Sequence, residues 1–263
     1  MELIVFLSLL ATGLAAPSTR IVNGDNAQLF DHPYQVSLQA YSFNSWYHTC
    51  GAVLVAPDKV VTAAHCVDKK QARNLRVVVG VHNLFDPPNE YQQTVAVASF
   101  RMHENYNGNG NGYPNDIAVL TLFTPVTYNR NVQPAKLANE GVSYANTSCI
   151  ISGWGQTSGS GGSPNTLQQA YILKISRAEC NALWSRYGVT ITDKHICVYE
   201  RDGETGGRPS SCMGDSGGPM MCGNKKDEFA GVTSWGVSTC SGDLPSVYTR
   251  ISEYRTWLDP QIY

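Results

Sequence analysis

Charge is scarce in this chain. Lysine, arginine, aspartate and glutamate make up 15% of its 263 residues and leave a net charge of −2. A surface of that kind offers no electrostatic footprint for nucleic acid and no polybasic patch for a membrane. Long helical periodicity is missing, and with it the parallel βα units of an α/β enzyme. No segment fits G-x-G-x-x-G or a P-loop, so phosphate cradling by glycines is a poor reading. There is no C-x-x-C pair and no H-E-x-x-H, which removes the usual zinc frameworks. Beyond the N-terminus no apolar run approaches the ~20 residues that a bilayer requires. The six histidines end at His195.

What is present is turn chemistry and cysteine. Twenty-four glycines and thirteen prolines separate short apolar runs. The chain is long enough to bury a full core, as one large all-β unit or as two smaller barrels. Strand-like runs recur at 35–38, 59–62, 77–79, 94–97, 118–122, 149–152, 169–175, 231–234 and 246–249. The Pro- and Asn-containing stretch 124–139 is the best connection between two halves. Ile251, Tyr254, Trp257 and Leu258 fall at helical spacing and predict one short C-terminal helix.

The run from Leu3 to Leu10 is too short to span a membrane and suits the hydrophobic region of a secretory signal. Gly13-Leu14-Ala15 supplies a small-x-small cleavage site, so residues 1–15 read as a signal peptide and the protein as secreted and extracellular. An oxidising compartment makes the eight cysteines disulfides; spacing alone leaves about 105 connectivities open.

The segment Gly214-Asp215-Ser216-Gly217-Gly218-Pro219 sets one serine in a glycine-flanked turn, where backbone N–H groups can point at whatever its hydroxyl attacks. A serine needs a base and an orienting carboxylate. Thr62-Ala63-Ala64-His65-Cys66 and Asn115-Asp116-Ile117-Ala118-Val119-Leu120 offer both. The order His65, Asp116, Ser216 is one of three chain orders known for this constellation. The same serine satisfies G-x-S-x-G, but an α/β-hydrolase needs its histidine after the nucleophile, and none follows Ser216. A catalytically dead homologue serving as a binding protein is disfavoured by the complete set of three. A processing protease usually carries extra domains, and none is visible here.

With these segments, and with Ile21-Val22-Asn23-Gly24, Gly153-Trp154-Gly155 and Ser234-Trp235-Gly236, the chain resembles the chymotrypsin-like serine proteases from Ile21 to its end. The resemblance implies two packed antiparallel six-stranded β-barrels with a short C-terminal helix and the site in the cleft between barrels. It gives His65 as general base and then acid, Asp116 as the group that holds its tautomer, and Ser216 as nucleophile. The N–H groups of Gly214 and Ser216 would form the oxyanion hole. Disulfides would pair Cys50–Cys66, Cys149–Cys222, Cys180–Cys197 and Cys212–Cys240. No cofactor or metal is implied; calcium-binding members carry a glutamate where this chain has Val81. Asn146-Thr147-Ser148 is a glycosylation sequon.

The resemblance also implies a zymogen, with residues 16–20 as propeptide and 21–263 as protease domain. A trypsin-like protease would cut after Arg20, and the freed Ile21 amine would pair with Asp215. Before the cut, Asp215 would pair with His48, supported by Ser37. The pocket floor is Ser210, where aspartate selects basic substrates; Ser234, Gly236 and Ser246 would complete the substrate site, and Asp243 is a nearby solvated loop carboxylate. The expected activity is a monomeric, digestive-type endopeptidase cutting after Phe, Tyr, Leu or Met, with protein and peptide substrates and proteinaceous serine protease inhibitors as partners.

Overall fold

The computed structural model describes residues 24–157, 162–201 and 208–263. The signal peptide read over 1–15, the propeptide 16–20 with Arg20, and Ile21 lie outside the described residues. The chain forms β1 (Asp25–Asn26), β2 (Gln35–Ser42), β3 (Ser45–Ala56), β4 (Lys59–Thr62), β5 (Leu75–Val79), β6 (Gln93–Met102), β7 (Ala118–Leu122) and β8 (Lys136–Leu137). It continues through β9 (Ser148–Gly153), β10 (Gln168–Leu173), α1 (Arg177–Ser185), β11 (His195–Val198), β12 (Pro219–Cys222), β13 (Glu228–Trp235), β14 (Ser246–Arg250) and α2 (Arg255–Ile262).

Strands β2-β3-β4-β7-β6-β5 close into one antiparallel barrel. Its wall is built from short valine- and leucine-rich runs such as Leu75-Arg76-Val77-Val78-Val79, whose β-branched side chains fit a pleated, buried surface. Val36, Leu38, Val53, Val61, Val77 and Leu120 fill it.

The second half is a curled sheet in the order β1-β10-β9-β12-β13-β14-β11, with β8 added in parallel to β13. In β10, Gln168, Ala170 and Ile172 face inward and alternate with more exposed neighbours, the period of two that marks a half-buried strand. Set against the closed barrel, this curled half-barrel gives the two-barrel arrangement expected from the sequence. β10 and β11 meet only through the Lys174–Val198 bridge and the bonds Ile175 N to Cys197 O (3.2 Å) and Tyr199 N to Leu173 O (2.9 Å). The chain leaves β10 at Ser176, whose hydroxyl accepts from Glu179 N at 3.1 Å and starts α1. That N-cap diverts the backbone before the seam can zip.

Helix α1 is absent from the sequence reading, although Ser176-x-x-Glu179 is a capping-box spacing that marks such a start. The C-terminal helix is present: Ile251, Tyr254 and Leu258 are buried, preceded by a 3-10 turn over Ile251–Glu253. Among the described residues no helix is long and apolar enough to cross a membrane. The connection 123–147 touches both halves, with Ala135 N bonded to Leu54 O (2.8 Å) and Ala138 N to Phe229 O (3.0 Å).

The two halves press together backbone to backbone beside Ser216. A Cβ on Gly217, at φ +78°, would lie 2.1 Å from Thr62 Oγ1 and 2.4 Å from Gly51 O; one on Gly51 would meet Gly218 Cα at 2.7 Å. Only glycine fits there.

Candidate active site

His65 sits in the 3-10 turn Ala64–Cys66 that follows β4. The Cys50–Cys66 disulfide ties this turn to β3 across a separation of 16 residues, a loop closure worth ~3 kcal/mol in the chain-entropy account. Asp116 precedes β7 and is fully buried. Its Oδ1 accepts from His65 N at 2.9 Å and its Oδ2 contacts His65 Nδ1 at 2.7 Å, so backbone and ring of one histidine are both held by one carboxylate.

Two groups from the second half complete the surroundings of Asp116, one at its carboxylate and one at its backbone carbonyl. Ser234 Oγ donates to Asp116 Oδ2 at 2.6 Å, and Thr249 Oγ1 donates to Asp116 O at 2.7 Å. Ser234 therefore spends its hydroxyl on Asp116 while also lining the cavity. Thr249 was missed by sequence reasoning and carries no local signal; strand pairing alone brings it here. Asn115, at φ +59°, is held by Tyr254 OH at 3.0 Å and reaches Asn105 O at 2.8 Å.

Ser216 and His65 line one cavity of about 280 Å3. Among the described residues neither Gly214 N–H nor Ser216 N–H donates to a protein acceptor. These paired donors, beside a hydroxyl, are suited to a developing oxyanion. Gly214 takes φ +101°, and its carbonyl accepts from His48 Nε2 at 3.0 Å while Ser37 Oγ holds His48 Nδ1 at 2.8 Å. Burial lowers the His48 pKa, so the ring sits there neutral.

Asp215 does not pair with His48 here. Its carboxylate accepts from Gly155 N at 2.8 Å and Cys212 N at 2.9 Å. Full burial pushes its pKa up to about 6, against those two bonds that favour the anion. A Cβ on Gly153 or Gly155 would lie 2.1 or 2.4 Å from this carboxyl group, which explains the two glycines around Trp154.

The cavity walls run over Ser211–Met213 and Thr233–Ser238, which includes Trp235, with Tyr113 as an aromatic addition that sequence reasoning did not single out. Among the described residues no carboxylate, lysine or arginine lines it. Ser210 and Ser246 are buried beyond that lining, their hydroxyls 3.3 Å apart, and Ser210 Oγ also donates to Ser211 O at 2.9 Å. A Cβ on Gly236 would meet nothing nearer than Ser246 Cα at 3.8 Å, so that wall stands open. Asp243 points away into solvent, 73% exposed and 3.4 Å from Arg208.

The other disulfides are Cys149–Cys222, Cys180–Cys197 and Cys212–Cys240. Cys50, His65 and Cys66 form the one ligand-like cluster among the described residues, and its two sulfurs are bonded to each other, which removes the thiolates a metal needs. Val81 is buried against Trp154 and Leu167. Asn146 is exposed.

The family model described as Trypsin matches residues 21–258. The chain is 42% identical over 244 residues to "Fibrinolytic enzyme, isozyme C" of Lumbricus rubellus, covering 90% of this chain and 98% of that protein. It is 39% identical over 261 residues to "Chymotrypsin-like serine proteinase" of Haliotis rufescens, covering 98% of each. Against "Chymotrypsin-like elastase family member 1" of Macaca fascicularis it is 40% identical over 272 residues, covering 100% and 98%. A match of this extent, on a fold that brings a histidine–aspartate pair and a glycine-flanked serine to one cavity, makes the chain a member of the trypsin family of chymotrypsin-like serine proteases, and a serine endopeptidase.

Proposed function

We propose that the protein is a secreted endopeptidase, made as a zymogen, that cuts after large or medium hydrophobic residues through an acyl-enzyme. Ser216 attacks the scissile carbonyl, and His65 takes its proton and returns it to the leaving amine. Asp116 holds the imidazole with Nδ1 engaged and stabilises the imidazolium that forms. The Gly214 and Ser216 N–H groups receive the oxyanion; loss of one such donor is worth ~2.7–4 kcal/mol. Trypsin-like proteases would activate it, and proteinaceous inhibitors would compete for the same cleft.

The observation that carries the substrate reading is that, among the described residues, no acidic side chain lines the cavity above the Ser210–Ser246 pair. An ammonium or guanidinium desolvated there would have no counter-charge. The open Gly236 wall supports bulkier side chains than alanine.

A peptide panel varied only at the residue before the scissile bond tests this. Phe, Tyr, Leu and Met should lead, with a graded fall because each methylene is worth only about 1–3 kcal/mol. Faster cleavage after Arg or Lys than after Leu would sink the reading.

A further inference from the structure

A second cavity of about 280 Å3 opens where the end of β10, the start of α1 and the end of β14 converge, and it shares no lining residue with the first. Its walls include Lys174, Ser176, Arg177, His195 and Arg250. Lys174 is only 6% exposed. Among the described residues its Nζ has neither a hydrogen-bond acceptor nor a carboxylate. The backbone keeps it there, with Lys174 N bonded to Thr147 O (2.9 Å) and Asn146 N to Lys174 O (3.0 Å).

No wall group neutralises this ammonium. Arg250 adds a second cation; it donates to Val142 O at 2.7 Å and meets Glu253 at 3.4 Å, yet its Nε is buried without a partner. Arg177 adds a third. Glu179, the acid of the first turn of α1, is taken by Arg201. His195 is spoken for by Gly112 O (2.9 Å) and Thr192 N (3.0 Å), and burial lowers its pKa. The first turn of α1 contributes free N–H groups and the positive end of its dipole. Burial, and to a lesser extent the Arg250 guanidinium, pulls the Lys174 pKa down to about 8.

We infer that this cavity binds a tetrahedral oxyanion, either free phosphate or sulfate or the ester group of a larger molecule, between Lys174, Arg250 and the first turn of α1. Lys174 just past β10, Arg177 in the first turn of α1 and Arg250 at the end of β14 line one cavity. A tetrahedral anion has oxygens to meet all of them, as a carboxylate does not.

Titrating the full chain with sodium sulfate or phosphate, in chloride at pH 7 and constant ionic strength, tests this by calorimetry and thermal melting. One saturable site and a rising melting temperature are expected. Lys174→Met should weaken binding at least tenfold, raise the anion-free melting temperature by removing an unpaired buried charge, and leave peptide hydrolysis unchanged. Arg177→Ala, on an exposed position that cannot unsettle the core, should weaken it several-fold. Phenyl phosphate identifies the source: affinity equal to inorganic phosphate supports an ester ligand, and loss of affinity supports the free ion. No saturation in the native chain, or unchanged affinity in both variants, would overturn the inference.

Discussion

Ser216→Ala is expected to abolish peptide hydrolysis while leaving the fold intact. The residue lies in a turn held by backbone bonds that do not involve its hydroxyl: Gly217 N to Thr233 O at 2.8 Å and Gly218 N to Asp215 O at 2.8 Å. Removing Oγ therefore takes away only the nucleophile. His65 gives Nδ1 to Asp116, which leaves Nε2 as the nitrogen able to accept the serine proton. Without Oγ that base has nothing to activate. In enzymes with this triad, loss of the serine lowers kcat on the order of 10⁶-fold. About 10³–10⁴ over the uncatalysed rate persists from oxyanion stabilisation and binding. Turnover measured on a peptide amide, beside a melting curve, settles the matter: an unchanged melting temperature with a tenth of native turnover would refute the assignment.

Arg20→Gln should give a folded protein that stays inert after trypsin treatment, whereas the native chain becomes active. Asp215 supplies the reason. Burial raises its pKa to about 6, so on its own it favours the folded state at low pH and loses that contribution as pH climbs through about 6. An adjacent cation would reverse this, and in the activation proposed above, cutting after Arg20 would free the Ile21 amine to be that cation. Breaking such a buried pair costs ~3–5 kcal/mol. Pairing raises the amine pKa above its free value of ~8. The pair's contribution is thus complete below ~8 and disappears as pH rises through the folded-state value. Activity of the cut enzyme should fall reversibly at alkaline pH, and that of Arg20→Gln should be near zero throughout. Full activity in the uncut variant would remove the switch.

Much of this was legible before any coordinates. The runs at 59–62 and 118–122 coincide with β4 and β7, because a short, buried, β-branched run between turns has few other ways to hide its surface. Ile251, Tyr254 and Leu258 are buried as their spacing requires. β3, twelve residues long, went unread: its polar half, Ser45 to Thr49, shows no alternation, and the strand is held by pairing with β2 and β4. Residues that pair at long range announce nothing locally.

The same division runs through the site. His65, Asp116 and Ser216 could be named from chain order and flanking residues, since nucleophile, base and carboxylate are demanded by the chemistry itself. Residue types also dictated an all-β chain with two halves. Which groups surround Asp116 was decided by the tertiary structure, which brings Ser234 and Thr249 from 118 and 133 residues away. So were the sparsely paired seam between β10 and β11, the Gly214 and Ser216 N–H groups that find no acceptor among the described residues, and the burial of Lys174 beside Arg250. Each depends on where backbone from distant segments is driven by packing, and burial, which sets the cost of a charge or a free donor, exists only once the chain has closed on itself.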